Sequence, residues 1–370
     1  MHVSTSEESL FWLIDELLVR WRASPKLYPF NRPDAIIPRN IIPEELRKDK
    51  EMLAVWYIAV CNHMKGRVTS LDAFRGNIKI WEKYPWFFIP RQALWESDKR
   101  LLDIYDEFLP IDKKVNVRAL KLNYQFLETY YEGKALNLIK GMASYEEAER
   151  RIRNKRTKRE KDIAGVAGEG LFGFQHKMVS MLVYFYDWER LFKKRFPYPS
   201  PADFHNFRIG LASKSLVVTG AKDDTVRDQE KISAPWRAMV FKYIVTRKVD
   251  PIDVADVLWL YSSVMCGNSP LTSTRKAELN GNGMFEQDHL PHHDDDRRFL
   301  RPNYWPALAE SCLRCLLLDR CNYAVPSAPY YSAGKIVLRP RLKVEQLLNP
   351  KHLGKVSYLP DEDHPTLPFD

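Results

Sequence analysis

Cysteine and glycine are scarce in this chain of 370 residues, which holds 5 Cys and 15 Gly. An odd and low number of cysteines excludes the disulfide framework of a small secreted domain. No stretch approaches the roughly 18 consecutive apolar residues that a membrane-spanning helix needs. Glu7 and Glu8 stand where a secretory signal peptide would carry positive charge. We therefore expect a soluble protein of the cytoplasm or nucleus, with no membrane partner.

The rest of the composition is that of a globular protein with a basic surface. Hydrophobic residues make up 45% of the chain and aromatic residues 12%, with 10 Trp, which is enough to build substantial cores. Lys and Arg number 57 against 48 Asp and Glu, a net charge of +9. Such a balance favours a polyanionic partner, either nucleic acid or an acidic membrane face.

Helical periodicity dominates the first half of the sequence, and the signal for strands is weak. Residues 7–21 place Leu and Ile at three- and four-residue steps, and Thr5 with Glu8 has the spacing of a capping box. Five prolines then predict an extended segment over residues 25–43, followed by a second helix from Lys50 to Met64. Together these patterns predict an all-α fold.

A basic run and a glycine-rich turn follow one another in the middle of the chain. Residues 150–161 hold eight basic side chains, and residues 162–173 hold four glycines just before a long apolar helix that starts near Lys177. A glycine turn that opens onto a helix directs backbone N–H groups, and the positive end of the helix dipole, at an anion. The run alone could equally be a solvated face or loop, whereas the two features together indicate a phosphate-binding site.

Four of the five cysteines lie in one C-terminal region with the spacing C-x45-C-x2-C-x5-C: Cys266, Cys312, Cys315 and Cys321. Four thiolates can hold an iron–sulfur cluster or a zinc ion. The alternative is that they are small buried apolar residues. A second group of possible ligands, in residues 288–296, is rich in Asp and His and is interpreted as a hydrated loop.

Three motifs, in this order, resemble the helix-hairpin-helix DNA glycosylases of the endonuclease III type. Residues 173–177, GFQHK, are similar to the G-x-G-x-K hairpin of that family, with Gln175 in place of the second glycine. Residues 203–208, DFHNFR, match its D-x-H-x-x-R segment. The last two cysteine spacings match its C-x6-C-x2-C-x5-C cluster loop, while the first requires residues 267–311 to be an insertion.

The resemblance implies a set of functional residues. Asp203 would be the catalytic carboxylate beneath the sugar, and Lys177 the amine that forms a Schiff base with C1′. Both have simpler interpretations, Asp203 as a helix cap and Lys177 as an exposed lysine. The four cysteines would hold a 4Fe-4S cluster, with zinc as the alternative. The expected contacts to double-stranded DNA are Gly173, Gln175, His176, His205, Arg208, Arg153 and Arg156.

The predicted organisation is an N-terminal helical region (1–110), a glycosylase-like core (111–265), a cysteine cluster region (266–321) with the inserted loop 267–311, and an extended tail (322–370). The predicted function is excision of a modified or damaged base, with or without lyase activity, by a monomer. Two alternatives stay open: a transferase that adds an amino acid or polyamine to an activated thymine derivative on the same scaffold, and a DNA-binding protein without catalysis.

Overall fold

The structure is a computed structural model. It describes residues 1–23, 27–31, 35–64, 70–109, 113–154, 170–222, 225–266, 315–318, 320–321, 330–332 and 335–338. Within these ranges the chain is mostly helical, as the periodicity predicted. The α-helices are α1 Glu7–Arg22, α2 Glu44–Lys48, α3 Lys50–His63, α4 Ser70–Lys83, α5 Pro90–Trp95, α6 Asp98–Phe108, α7 Lys113–Tyr131, α8 Ala135–Ile139, α9 Tyr145–Ile152, α10 His176–Trp188, α11 Phe204–Ala212, α12 Glu230–Arg247 and α13 Pro251–Tyr261.

Shorter helical turns complete these segments. Pro38–Ile41 and Pro85–Phe88 are 3-10 turns, and Ser262–Cys266 is a π-helical continuation of α13. The 3-10 turn at residue 38 interrupts the stretch that was predicted to be extended. None of the helices in the described ranges is long and apolar enough to cross a membrane.

Two small antiparallel sheets accompany the helices. Strand β1, His2–Thr5, pairs with β2, Leu216–Thr219, in a register that places residue 2 opposite residue 219. Strands β3 Thr225–Val226, β4 Tyr330–Ser332 and β5 Lys335–Val337 form the other sheet in the order β3-β5-β4. The predicted all-α fold is thus confirmed at the level of a mostly helical protein.

The chain divides into two compact units, each built from segments distant in sequence. Unit 1 comprises 1–35, 202–243 and 253–370, and unit 2 comprises 36–201 and 244–252. This division differs from the contiguous blocks that we predicted: the boundary at residue 110 falls inside unit 2. Helix α1 belongs to the same unit as residues far along the chain, because strand β1, which directly precedes it, pairs with β2.

Unit 2 is organised around α3, which is buried on all sides from Leu53 to His63. The helix therefore lacks the single apolar face that its sequence suggested. Its last residue, His63, is a polar side chain inside this core. The ring Nδ1 lies 3.0 Å from Asn77 Oδ1, and Nε2 lies 2.8 Å from the Tyr105 hydroxyl. Both ring nitrogens thus have partners, as a buried imidazole requires.

Unit 1 buries the apolar face of α1 and the side chain of Trp236. The residues expected to face the core, among them Leu10, Leu13 and Leu17, are all buried. The cap differs from the capping box that we predicted, because Ser6 and not Thr5 accepts the hydrogen bond, from the Ser9 amide. Strand β1 ends at Thr5, and this displaces the start of the helix by one residue.

Candidate functional site

The glycine turn lies beside the end of α9. Gly170 and Gly173 both have positive φ, 78° and 81°, so the chain reverses tightly before α10. The Leu171 amide donates to the Ile152 carbonyl at 2.9 Å, and the Asn154 amide donates to the Phe174 carbonyl at 2.9 Å. These two hydrogen bonds join the end of α9 to the start of α10 through a short parallel bridge.

Gly170 is required at this bridge for two independent reasons. Its φ is in the left-handed region, and a Cβ there would lie 2.6 Å from the Arg153 carbonyl carbon, far inside van der Waals contact. The obstacle is backbone and cannot move aside as a flexible side chain could. Gly170 was not among the residues that we selected from the sequence, although it lies in the glycine-rich run.

Helix α10 begins without a side-chain cap. Gln175 occupies the N-cap position with φ −100°, a value that any L-residue adopts, so the second glycine of the family pattern is not needed here. Its side-chain amide donates to the Asn154 carbonyl at 3.2 Å instead of capping the helix. The first N–H groups of α10 therefore have no capping side chain among the described residues. Lys177 stands in this first turn and is half-buried.

Two predicted DNA contacts, Arg153 and His176, meet in the structure, and Glu149 joins them. Arg153 Nη1 donates to His176 Nε2 at 2.9 Å, and His176 Nδ1 hydrogen-bonds to Glu149 Oε1. Because a guanidinium can only donate, Nε2 must be the acceptor, which places the imidazole proton on Nδ1. The three side chains are each about one third exposed, at 34% for Arg153, 29% for His176 and 27% for Glu149. They form a surface cluster next to the glycine turn.

Helix α7 supports the turn from the other side. The Asn123 side-chain amide, which is fully buried, donates to the Phe172 carbonyl at 3.3 Å. The guanidinium of Arg118 lies 5.9 Å from the centre of the Phe172 ring. Arg118 is exposed and adds a cation to this surface. The turn is thus held by α7, α9 and α10, all within unit 2.

Asp203 is the N-cap of α11. Its Oδ1 accepts from the Asn206 amide at 3.1 Å and from the Asn206 side-chain amide at 3.1 Å. Asn206 is itself buried, and its Oδ1 accepts from Trp236 Nε1 at 3.3 Å. The capping interpretation of Asp203 is confirmed, and the carboxylate is held in one orientation by a buried amide.

The other two residues of the D-x-H-x-x-R segment, His205 and Arg208, are more buried than side chains that contact a DNA backbone would be. His205 is half-buried, with its ring centre 6.0 Å from that of Trp259. Arg208 is only 2% exposed, and its guanidinium lies 4.2 Å from the centre of the Phe204 ring. Arg208 therefore exposes too little surface to bind a phosphate, contrary to the predicted DNA contact. Its burial favours a structural role through the cation–π contact with Phe204.

The two proposed catalytic residues belong to different compact units. Lys177 is part of unit 2 and Asp203 is part of unit 1. Each lies at a helix start, Lys177 in the first turn of α10 and Asp203 at the cap of α11. Their convergence on one sugar stays a prediction.

The described part of the cysteine region is a compact turn in unit 1. Cys315 and Cys321 flank it, and the Cys321 amide donates to the Leu317 carbonyl at 2.8 Å. Cys315 Sγ lies 3.2 Å from the Tyr261 hydroxyl, which also accepts from the Leu316 amide at 3.0 Å. Tyr261 ends α13, and the π turn that follows ends at Cys266. The turn is therefore attached to the same helix that leads to Cys266.

The metal prediction stays a prediction. Cys312 and the side chain of Cys266 lie outside the described residues, and so do Arg156 and the Asp- and His-rich residues 288–296. Among the side chains that the structure does describe, no three His, Cys, Asp or Glu form a metal-binding group. Cys315 and Cys321 are partly exposed and form no disulfide, and a set of four thiols suits either iron–sulfur or zinc.

Two supporting residues of the glycine turn were missed by sequence reasoning. Glu149 stands four residues before Arg153, a spacing that indicates an ion pair on a helix but not a bond to His176. Asn123 lies in the middle of α7 and carries no local signal for its contact with residue 172.

Comparison with known proteins adds no relative: no family model matches the chain, and no curated protein matches it. The resemblance to the glycosylases therefore depends on the three motifs.

Proposed function

We propose that this protein binds double-stranded DNA through the glycine turn and excises a modified base by cleaving its N-glycosidic bond. The observation that carries the proposal is the turn itself: two left-handed glycines, an uncapped helix start, and the cations of Arg153 and Arg118 on one surface. Such a surface suits a phosphate backbone, and its contacts would be independent of base sequence.

The chemistry assigned to Lys177 follows from its place in the first turn of α10. In the G-x-G-x-K pattern that residues 173–177 resemble, the lysine at the start of the helix is the nucleophile. As a neutral amine it would attack C1′ of the sugar, displace the base and leave a Schiff base with the opened ring. If Lys177 does not attack C1′, water would be the nucleophile, and the product would be an abasic site in an unbroken strand.

Asp203 would act on the charge that develops on the sugar. Cleavage of the glycosidic bond gives the ring oxocarbenium character, which a fixed carboxylate stabilises. The hydrogen bonds from Asn206 hold the carboxylate in one orientation, and Trp236 holds Asn206. Asn206 and Trp236 are thus positioning residues for Asp203.

The cysteines would have a structural role in this scheme. Cys266, Cys312, Cys315 and Cys321 would hold a 4Fe-4S cluster or a zinc ion that fixes the C-terminal region. The cluster would supply a rigid, charged element for DNA positioning, and the excision steps assigned above involve none of its ligands.

The test is incubation of the purified protein with duplexes that carry single damaged or modified bases, followed by alkali treatment and strand separation. Excision predicts strand breaks at the modified position, and borohydride trapping on Lys177 predicts a covalent protein–DNA adduct that Lys177→Ala abolishes. Asp203→Asn keeps a capping oxygen, so loss of excision with retained folding would assign Asp203 to the chemistry.

Two other outcomes would replace the proposal. An altered base mass in an unbroken strand, in the presence of an amino acid or polyamine donor, would indicate a transferase. DNA binding with no change in any substrate, and with no effect of Lys177→Ala or Asp203→Asn, would indicate a non-catalytic protein.

A further inference from the structure

Glu149 is an acidic side chain in surroundings that otherwise favour an anion. It lies on α9 just before the basic run, and its Oε1 is 3.7 Å from Arg153 Nη1 and hydrogen-bonded to His176 Nδ1. The neighbouring Glu147 is different, since it pairs with Arg151 on its own helix. Glu149 instead connects α9 to the first residue of α10, at the surface where a phosphate would be bound.

We propose that Glu149 limits the affinity of this surface for the DNA backbone, because it neutralises Arg153 in the free protein and repels the phosphate that Arg153 binds. This inference rests on the proposed DNA binding and concerns the same surface. Arg153 hydrogen-bonds to His176 and faces the carboxylate of Glu149. A phosphate that approaches Arg153 meets that carboxylate as a second anion within a Debye length.

The charge of Glu149 can be removed by a substitution that keeps its hydrogen bond to His176. His176 donates through Nδ1, and a glutamine at position 149 would still accept that proton through its carbonyl oxygen. Glu149→Gln therefore keeps the imidazole in place and removes only the negative charge. The position thus allows an electrostatic role to be measured apart from a structural one.

The experiment measures the affinity of the full chain for a short undamaged duplex by fluorescence anisotropy over a series of salt concentrations. Glu149→Gln is expected to tighten binding by about three- to tenfold at low salt, with the gain shrinking as salt rises. The matched control is Glu146→Gln, which makes the same charge change on an exposed residue of the same helix. It is expected to change the affinity by less than about twofold.

A double variant tests whether Glu149 acts through Arg153. In a chain that carries Arg153→Gln, the additional change Glu149→Gln is expected to alter the affinity no more than Glu146→Gln does, because the cation that Glu149 neutralises is gone. Circular dichroism confirms that each variant is folded.

Three results would overturn the inference. Unchanged or weaker binding by Glu149→Gln would show that the carboxylate does not oppose DNA. An equal gain from Glu146→Gln would assign the effect to net charge alone, and a gain that survives Arg153→Gln would exclude the pairing. If the natural chain binds no duplex at any salt concentration, the proposed function fails as well, and this outcome is distinct from the other three.

Discussion

Arg195 makes two hydrogen bonds to the buried carboxylate of Asp187, each of 2.7 Å, through Nε and Nη2. The same guanidinium makes two more to Asp250, at 2.9 and 2.7 Å. Asp187 follows the glycine turn on α10, and Asp250 immediately precedes α13, so one side chain fixes two segments of unit 2.

Arg195→Met is expected to lower the free energy of unfolding by about 3 kcal/mol, because Asp187 is left as a buried charge without its main partner. The side chain of Asp187 is only 3% exposed, and the Tyr198 hydroxyl also donates to it at 3.2 Å. Urea denaturation followed by circular dichroism measures the change. The control is Arg22→Met, at a pair whose side chains are 52% and 32% exposed, with an expected loss below about 1 kcal/mol. Equal losses would contradict the assignment.

The stability contributed by Asp250 should depend on pH. Burial raises the pKa of this carboxyl, but the hydrogen bonds from Arg195 and the Ile252 amide outweigh it and leave the pKa below its ordinary value of 3.8. Since the pKa is lower in the folded state, the contribution is full above the unfolded pKa and is lost as the pH falls through the folded value. The natural chain and Asp250→Asn should therefore differ most above about pH 5 and converge below about pH 4. A difference that grows on acidification would refute this.

Gly170→Ala is expected to destabilise the protein by about 3 kcal/mol and to weaken DNA binding, because both φ and the Arg153 carbonyl oppose a side chain. Gly141 is a matched control: its φ is +75°, yet a Cβ there would meet nothing within 4 Å. Gly141→Ala should therefore show the conformational cost alone, about 1 kcal/mol. Thermal unfolding and duplex affinity of the two variants separate the contributions. If Gly170→Ala and Gly141→Ala changed thermal stability and duplex affinity by similar amounts, the steric argument for Gly170 would be wrong.

The cap at Asp203 gives a further prediction on stability. Asp203→Ala should destabilise the protein by about 1 kcal/mol, whereas Asp203→Asn should change it by less than about 0.5 kcal/mol, since an asparagine oxygen caps a helix equally well. Urea denaturation of both variants measures this. If the asparagine variant were as unstable as the alanine variant, the charge and not the hydrogen bond would stabilise α11.

The cysteine region predicts a metal. Purified protein with an iron–sulfur cluster should be brown, with absorbance at about 400 nm. Colourless protein with stoichiometric zinc would reverse the assignment, and protein with neither metal would remove it. Cys315→Ser should reduce the metal content, while Cys61→Ser, at a buried thiol of unit 2, should leave it unchanged.

Local signals in the sequence predicted the helices well. The periodic leucines of α1 are buried, and α3 spans Lys50–His63 against a predicted end at Met64. These features depend on residues within one or two turns of each other, where spacing and backbone preferences are decisive.

Tertiary relationships could not be predicted in the same way. The pairing of residues 2–5 with 216–219 has no local signature, because four-residue strands are too short to show alternation. The bond from Glu149 to His176 depends on how α9 meets α10, and the meeting of Arg153 with His176 depends on Gly170 fitting against the Arg153 backbone. Conversely, Arg208 was selected as a surface cation by its motif, and only the packing against Phe204 reveals its burial.

The β1–β2 pairing has a consequence for synthesis on the ribosome. Strand β1 emerges before its partner at residues 216–219, which is translated more than two hundred residues later. At the usual 5–20 residues per second, the nascent β1 strand must wait roughly 10–40 s for that partner. During this interval the apolar stripe of α1 is exposed to chaperones, while residues 36–201 of unit 2 are already available to collapse.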